Sequence, residues 1–342
     1  ARDGFILDED LAGQFKRRLE SFSKYPASLE VFSHDGEPYE TGDRFSQPDL
    51  AETLERIKLA GKKGFYAGET ADLIVSEIKN GGGIISIKDL KDYKSKWRKP
   101  IMGDYRGYKL VSMPPPSSGG VLLVQMLNML EPYDLGELGV GSSEVIHLMI
   151  EAERRAYADR AEHLGDSDFY DVPIETLISK DYARARFLDF DPNKASVSAD
   201  IFAGVAAKEG LETTHASVID AMGNAVAYTT TLNLSYGSKI VVRGAGFLLN
   251  NEMDDFSVKE NSPNAFGLLG GEANAIEPGK RMLSSMTPTI VLKNEKPLLV
   301  TGSPGGSTII TTVLQIVSNV IDHEMNLAEA VSAGRFHHQW QP

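Results

Sequence analysis

Residues 213–233 read TTHASVIDAMGNAVAYTTTLN, and the reading of this stretch decides the fold. Strand-like residues run from His215 to Ile219 and from Ala225 to Thr231, and DAMGN between them carries the Gly and Asn of a turn, so a β-hairpin is expected. Two threonines and a histidine open it. If the bond between Glu212 and Thr213 is cut, Thr213 carries a hydroxyl and a free α-amine in one residue. An α-amine of pKa about 7.7–8 accepts a proton near neutrality, so it can serve as the base that a hydroxyl nucleophile needs. Before the cut, the same hydroxyl can attack the preceding carbonyl and form an ester by N-to-O acyl shift, which water then opens. Taken alone the triplet is a weak signal that a structural threonine pair explains better, because hydroxyls at strand starts satisfy backbone groups. On that reading His215 is a packed, hydrogen-bonded side chain rather than a base or a metal ligand.

Working outward, the residues before the hairpin read as mainly helical. DEDLAGQFKRRLESF, DLAETLERIKLAGKKGFYAG, ETADLIVSEIKNGGG and SIKDLKDY place apolar residues at spacings of three and four, with Asp, Glu or Ser near the starts and Gly at the ends. In GDYRGYKLVSMPPPSSGG, Tyr105 to Met113 is strand-like and the prolines stop any regular element. An apolar, buried helix is expected in VLLVQMLNMLEPY, and a longer one from about Ser143 to Leu164 with EAERRAYADRAEHLGD as its charged end. After Leu211 the period shifts towards two. KIVVRGAGFLLNN is expected as another strand, and TPTIVLKNEKPLLVTGS as a hairpin about Asn294 to Pro297. The apolar helix TIITTVLQIVSNVID and a helix start at NLAEAVSAG follow. Helices first and strands later can pack as layers on one shared core.

The composition, 42% hydrophobic and 24% charged over 342 residues, is that of a globular chain with a sizeable core. A net charge of −13 leaves no basic excess to neutralise phosphates, which argues against a nucleic-acid partner. The excess is −10 in residues 1–212 and only −3 in 213–342, so the second part is the better host for an anionic substrate. With no cysteine there is no disulfide, thiol nucleophile or thiolate metal site. No apolar run is long enough for a membrane span, and stable membrane insertion is not expected.

Three further stretches carry chemistry. In VTGSPGGSTIITTVLQIV, Gly305 and Gly306 open an apolar helix, where free amides and the helix dipole favour negative charge and suit an oxyanion hole. A glycine turn with Ser307 as N-cap explains the same residues, whereas the pattern of an ATP phosphate loop is missing. In LLNNEMDDFS, Glu252 and Asp255 can together meet an ammonium group. They can also form a solvated turn or a cation site, and their spacing in a loop fixes neither of the separations, about 5.5 or 9 Å, of glycosidase carboxylates. In RMLSSMTP, the hydroxyls and amides of Ser284 and Ser285 can hold a carboxylate. The tandem His337 and His338 lacks the further ligands of a zinc site and reads as a packed turn. MPPPSSGG lacks a nucleophile elbow and reads as structural.

Together these stretches closely resemble the gamma-glutamyltransferases (gamma-glutamyltranspeptidases), within the N-terminal-nucleophile hydrolases. TTHASVIDAMGNAVAYTTTLN, GFLLNNEMDDFS, RMLSSMTPTIV, VTGSPGG and RFHHQW stand in family order, as do GDYRGYKLVSMPPPSSGG and AERRAYADRAEHLGD, so the resemblance covers essentially the whole chain. It implies an α+β fold with a four-layer αββα core. It also implies a large-subunit portion, 1–212, and a small-subunit portion, 213–342, produced by self-cleavage between Glu212 and Thr213. By resemblance Thr213 is the nucleophile and Thr231 its hydrogen-bonding partner. Asn233, Glu252 and Asp255 hold the α-amino end of the substrate, with Asn233 also near its carboxylate. Ser284 and Ser285 bind the carboxylate, and Gly305 and Gly306 form the oxyanion hole.

The implied reaction transfers a γ-glutamyl group from glutathione or a similar donor, through a threonyl ester, to water or to an amino-acid or dipeptide acceptor. No cofactor or metal is implied, and the location is periplasmic or secreted. Related acylases and poly-γ-glutamate-processing transpeptidases are the enzyme alternatives, and an inactive precursor fragment is the non-enzymatic one. Relative to the family the chain is expected to be truncated at both ends, without the arginine that binds the substrate carboxylate. Phe266 stands where some bacterial members have a lid tyrosine, so the ring is kept and its hydroxyl is not.

Overall fold

The computed structural model describes residues 1–201, 213–259 and 262–341. They form two compact units, Ala1–Trp97 with Tyr236–Asn251, and Arg98–Ser235 with Glu252–Pro342. These boundaries cut across the division expected at 212/213.

The first unit pairs β1 (Phe5–Ile6) with β2 (Arg44–Phe45) and carries helices α1 (Glu9–Phe22), α2 (Pro26–Phe32), α3 (Pro48–Ala60), α4 (Lys63–Tyr66), α5 (Gly68–Asn80) and α6 (Ile87–Asp92). Asp8 caps α1 by accepting from the Leu11 amide, and Ser86 with Asp89 forms a capping box on α6. Its main core is aromatic: Phe15, Phe22, Phe32 and Phe45 are buried, and Phe22 stacks on Phe32 with centroids 4.5 Å apart. The strand expected in KIVVRGAGFLLNN is instead a turn-rich loop with a single bridge between Val241 and Leu248. Gly244 and Gly246 both have φ of +74°, which bends the chain out of the extended form despite its β-branched composition.

The second unit contains a four-stranded antiparallel sheet in the order β3 (Ile101–Tyr105), β4 (Tyr108–Ser112), β7 (Thr289–Lys293), β8 (Lys296–Thr301). The strand-like run from Tyr105 to Met113 is thus the second arm of a hairpin, because Arg106 and Gly107 turn at φ of +47° and +82°. Asn294 and Glu295, at +51° and +62°, make the corresponding turn between β7 and β8. The opening stretch forms β5 (Thr214–Ile219) and β6 (Ala225–Thr230), one residue from the expected bounds at each outer end. Its turn is organised by Asp220, whose Oδ1 accepts from the Met222 and Asn224 amides. This hairpin packs on β7 and β8.

Helices α7 (Gly119–Leu130), α8 (Leu135–Leu138), α9 (Ser143–His163), α10 (Ile174–Leu177), α11 (Lys180–Arg186), α12 (Thr308–Ile321) and α13 (Leu327–Ser332) complete the unit. All of α7 is buried, against β3, β4, α9, α11 and α12. Each fully buried Leu, Met or Val there contributes about 1.5–3 kcal/mol. The layered α+β architecture agrees with the expected class. Its main hydrophobic core draws on both sides of position 213, from Ile101 and Leu123 to Val291 and Leu314.

The charged end of α9 departs from an ordinary surface helix, since Glu151, Glu153, Arg154, Arg155, Asp159 and Arg160 are all buried. Among the described residues no helix is long and apolar enough to cross a membrane.

Candidate active site

The hairpin closes with Thr214 opposite Thr230, which brings Thr213 and Thr231 side by side with their hydroxyl oxygens 3.5 Å apart. Thr231 Oγ1 accepts the Asn233 amide at 2.9 Å, and Asn233, buried, takes a φ of +74° that asparagine tolerates better than most residues. Glu212, the other side of the expected cut, lies outside the described residues. His215 is packed: its ring nitrogens lie 2.8 Å from Thr229 Oγ1 and 2.9 Å from Ser217 Oγ. A Cβ on Gly302 would come within 2.2 Å of that ring.

Beyond β8 the chain turns through Gly305 and Gly306, at φ of +133° and +54°, into α12. A side chain on Gly305 would meet Thr308 Oγ1 at 2.3 Å. Among the described residues no hydrogen bond uses either glycine amide. Two free N–H groups therefore stand at the positive end of a 14-residue helix. The Tyr157 hydroxyl of α9 donates to the Ser307 carbonyl and pins this turn.

Ser284 and Ser285 are held from behind by the proline-rich stretch, which accounts for its structural role. Ser284 N–H donates to the Pro116 carbonyl at 2.8 Å, and the Ser118 amide and hydroxyl both donate to the Ser284 carbonyl at 2.9 Å. Gly119 and Gly120 permit this approach, since a Cβ on either would lie 2.3 Å from Thr287 Oγ1 or 2.4 Å from the Met113 carbonyl. The Met286 amide donates to Ser284 Oγ at 3.1 Å, and Arg160 Nη2 donates to Ser285 Oγ at 3.4 Å. Each serine oxygen thus accepts from the protein side and keeps its own proton for another acceptor.

Glu252 and Asp255 lie on one short 3-10 turn. Burial raises the Glu252 carboxyl to about 7. Burial first, and then the charge of Glu252, raises Asp255 to about 7 against the opposing pull of Arg160. Asn264 Nδ2 donates to Asp255 Oδ1 at 3.0 Å, while Asn264 Oδ1 accepts from the amides of Phe266 and Leu268. A group of this kind gains from an added cation, which would return both carboxyls to the ionised form.

One cleft of about 290 Å³ gathers Thr213, Thr231, Asn233, Asp255, Phe266, Ser284, Ser285 and Gly306, with Leu268, Met286 and Ile309 as apolar wall. Glu252 and Gly305 do not line it, while their near neighbours Asp255 and Gly306 do. Arg160, Asn264 and Tyr157 were not singled out in the sequence. The one available signal was the density of charge within the Ala-rich face of α9. Among the described residues no group of three or more His, Asp or Glu is placed to hold a metal ion.

The sequence profile of the gamma-glutamyltranspeptidase family matches residues 1–342. The chain is 52% identical over 344 aligned residues to the glutathione hydrolase proenzyme of Escherichia coli (strain K12), covering 100% of this chain and 59% of that one. Among solved structures it is similar to the cephalosporin acylase of Bacillus halodurans, at a TM-score of 0.82 and 25% identity over 97% of this chain and 59% of that one. It is also similar to the gamma-glutamyltranspeptidase of Helicobacter pylori, at a TM-score of 0.58 and 46% identity over 59% of this chain and 58% of that one. The chain spans about three fifths of the length of the curated relatives that it matches.

Proposed function

The chain belongs to the gamma-glutamyltranspeptidase family, and on that premise we propose that it is cut between Glu212 and Thr213 and then transfers γ-glutamyl groups through Thr213. The observation that carries this reading is the cleft itself. It sets a threonine that a cut would turn into an amino terminus beside hydroxyl donors, a buried acid and a free helix-start amide.

In this reading the donor's ammonium group meets Glu252, Asp255 and Asn233, and its carboxylate takes the Ser284 and Ser285 protons. The Thr213 α-amine removes the hydroxyl proton, Thr231 holds the hydroxyl in place, and Thr213 Oγ1 attacks the γ-carbonyl. Charge developing on the carbonyl oxygen is met by the Gly305 and Gly306 amides, the arrangement that lowers acyl-transfer barriers. The leaving amine takes a proton from the Thr213 ammonium. Water or the amine of an amino acid or dipeptide then opens the threonyl ester, giving hydrolysis or transpeptidation. Phe266 covers the cleft with a ring that has no hydroxyl. Residues 1–212 and 213–342 are the two subunit portions, glutathione is a natural donor of the right chemistry, and a periplasmic or secreted location fits the family.

The likeness to a cephalosporin acylase favours a second reading, an acylase of another amide. The acid pair weighs against it, because a head group without an amine brings no positive charge to two carboxyls that burial raises to about 7. Turnover of γ-glutamyl p-nitroanilide against glutaryl p-nitroanilide separates the two, since the second lacks only the α-amine. Preference for the γ-glutamyl compound supports the proposal, and preference for the glutaryl compound overturns it in favour of the acylase.

A further inference from the structure

Arg160 is 3% exposed and lies on α9 among Ala156, Tyr157 and Ala161. It forms no ion pair within salt-bridge distance among the described residues, which is costly for a buried guanidinium. Its described partners are two neutral hydroxyls: Nε donates to Ser118 Oγ at 3.0 Å, and Nη2 donates to Ser285 Oγ at 3.4 Å. A guanidinium has donors only, so both serine oxygens must accept from it and both serine protons must point elsewhere. The Ser118 proton goes to the Ser284 carbonyl at 2.9 Å. Ser285 lines the cleft and so can send its proton there.

We propose that Arg160 is a positioning residue that fixes Ser285 as a hydrogen-bond donor into the cleft and so makes the site select donors carrying an α-carboxylate. The inference rests on the reaction proposed above and deepens it. Two features of the geometry support the role. The hydrogen bonds run one way, from cation to hydroxyl to ligand, and each member polarises the next. Burial works against the charge of the guanidinium, and among the described residues only the nearby Tyr157 and Asp255 side chains favour it electrostatically. An anion bound at Ser285 would complete that balance. Arg160 does not itself line the cleft and acts through Ser285, which does.

The test uses Arg160→Gln, Arg160→Lys and Ser285→Ala in the intact gene product, with γ-glutamyl p-nitroanilide and 4-aminobutyryl p-nitroanilide as substrates. The second substrate keeps the amine and the acyl chain and lacks the carboxylate. Arg160→Gln should raise KM for the first about tenfold, the loss of one charge-assisted hydrogen bond, with kcat changed less than about threefold and KM for the second unchanged. Arg160→Lys should recover part of the loss, and Arg160→Gln should add less than about twofold on top of Ser285→Ala because the two changes share one partner. Equal rises in KM on both substrates, or full additivity with Ser285→Ala, would overturn the proposal. If Arg160→Gln does not fold, Arg160→Lys carries the same comparison with a smaller expected rise.

Calorimetric binding of L-glutamate against 4-aminobutyrate separates this inference from the reaction. A protein with no turnover that still binds glutamate in an Arg160-dependent way retains the inference and loses the reaction. Glutamate binding indifferent to Arg160, or no glutamate binding at all, contradicts the inference.

Discussion

Ser284 and Ser285 rest on buried neighbours from α7, α9 and the proline-rich stretch, and backbone amide, carbonyl and side-chain oxygen of Ser284 each have a partner at 2.8–3.1 Å. Thr213 instead stands at the edge of a hairpin whose outer residues are open, with Val218 57% and Tyr228 56% exposed, and its hydroxyl meets Thr231 at the long distance of 3.5 Å. On the proposed reading, the two regions divide the work of a self-cutting site between them. The end that recognises the head group is preformed by packing. The end that reacts sits where the chain can change when one peptide bond is opened, without disturbing the core.

The comparison breaks if the reactive end proves dispensable. Thr213→Ala should abolish self-cleavage and lower turnover of γ-glutamyl p-nitroanilide by at least about 10⁴-fold, and Thr213→Ser should keep part of both. Gel analysis and initial rates check this, and wild-type turnover in Thr213→Ala would remove the nucleophile from the account.

At the recognition end, Asp255→Asn should raise donor KM by about 10²-fold or more, since the ammonium group loses a buried partner. The same substitution has a second signature. Because the folded-state carboxyl titrates near 7, above its ordinary value, the folded protein binds an extra proton between about pH 4 and 7, and its stability falls as pH rises through that window. Asp255→Asn should therefore raise the melting temperature of the unliganded protein by a few degrees at pH 8, an advantage lost by pH 4. A variant less stable than the parent at pH 8 would contradict the raised carboxyl.

Gly305→Ala should reduce kcat by about 10²-fold with little change in KM, because φ of +133° and the Thr308 contact force the turn to shift its amides. A rise confined to KM would place the turn at the recognition end instead. Asn264→Ala, which unties Asp255 from the Phe266 loop, should raise KM only about 5- to 10-fold.

Much of this was legible in the sequence. Alternation gave both hairpins about Asp220 and Asn294, and uniform apolarity gave α7 and α12, because these elements are set by local pattern and burial. The misreadings share one cause. Strand composition continues through Arg106–Gly107 and through Gly244 and Gly246, and the backbone there turns at positive φ. Thr213 and the glycine, acid and serine groups stood out as separate stretches, with their roles implied by resemblance alone. Arg160 and Asn264 were not, since their meaning lies in partners that folding brings from positions 118 and 285 and from position 255.

The most direct test of the account is the intact-mass spectrum of the gene product after brief exposure to a γ-glutamyl donor. The account predicts two fragments that meet between Glu212 and Thr213, with one γ-glutamyl group added to the fragment that begins at Thr213. A single uncut mass with no adduct, or an adduct on the other fragment, would contradict it.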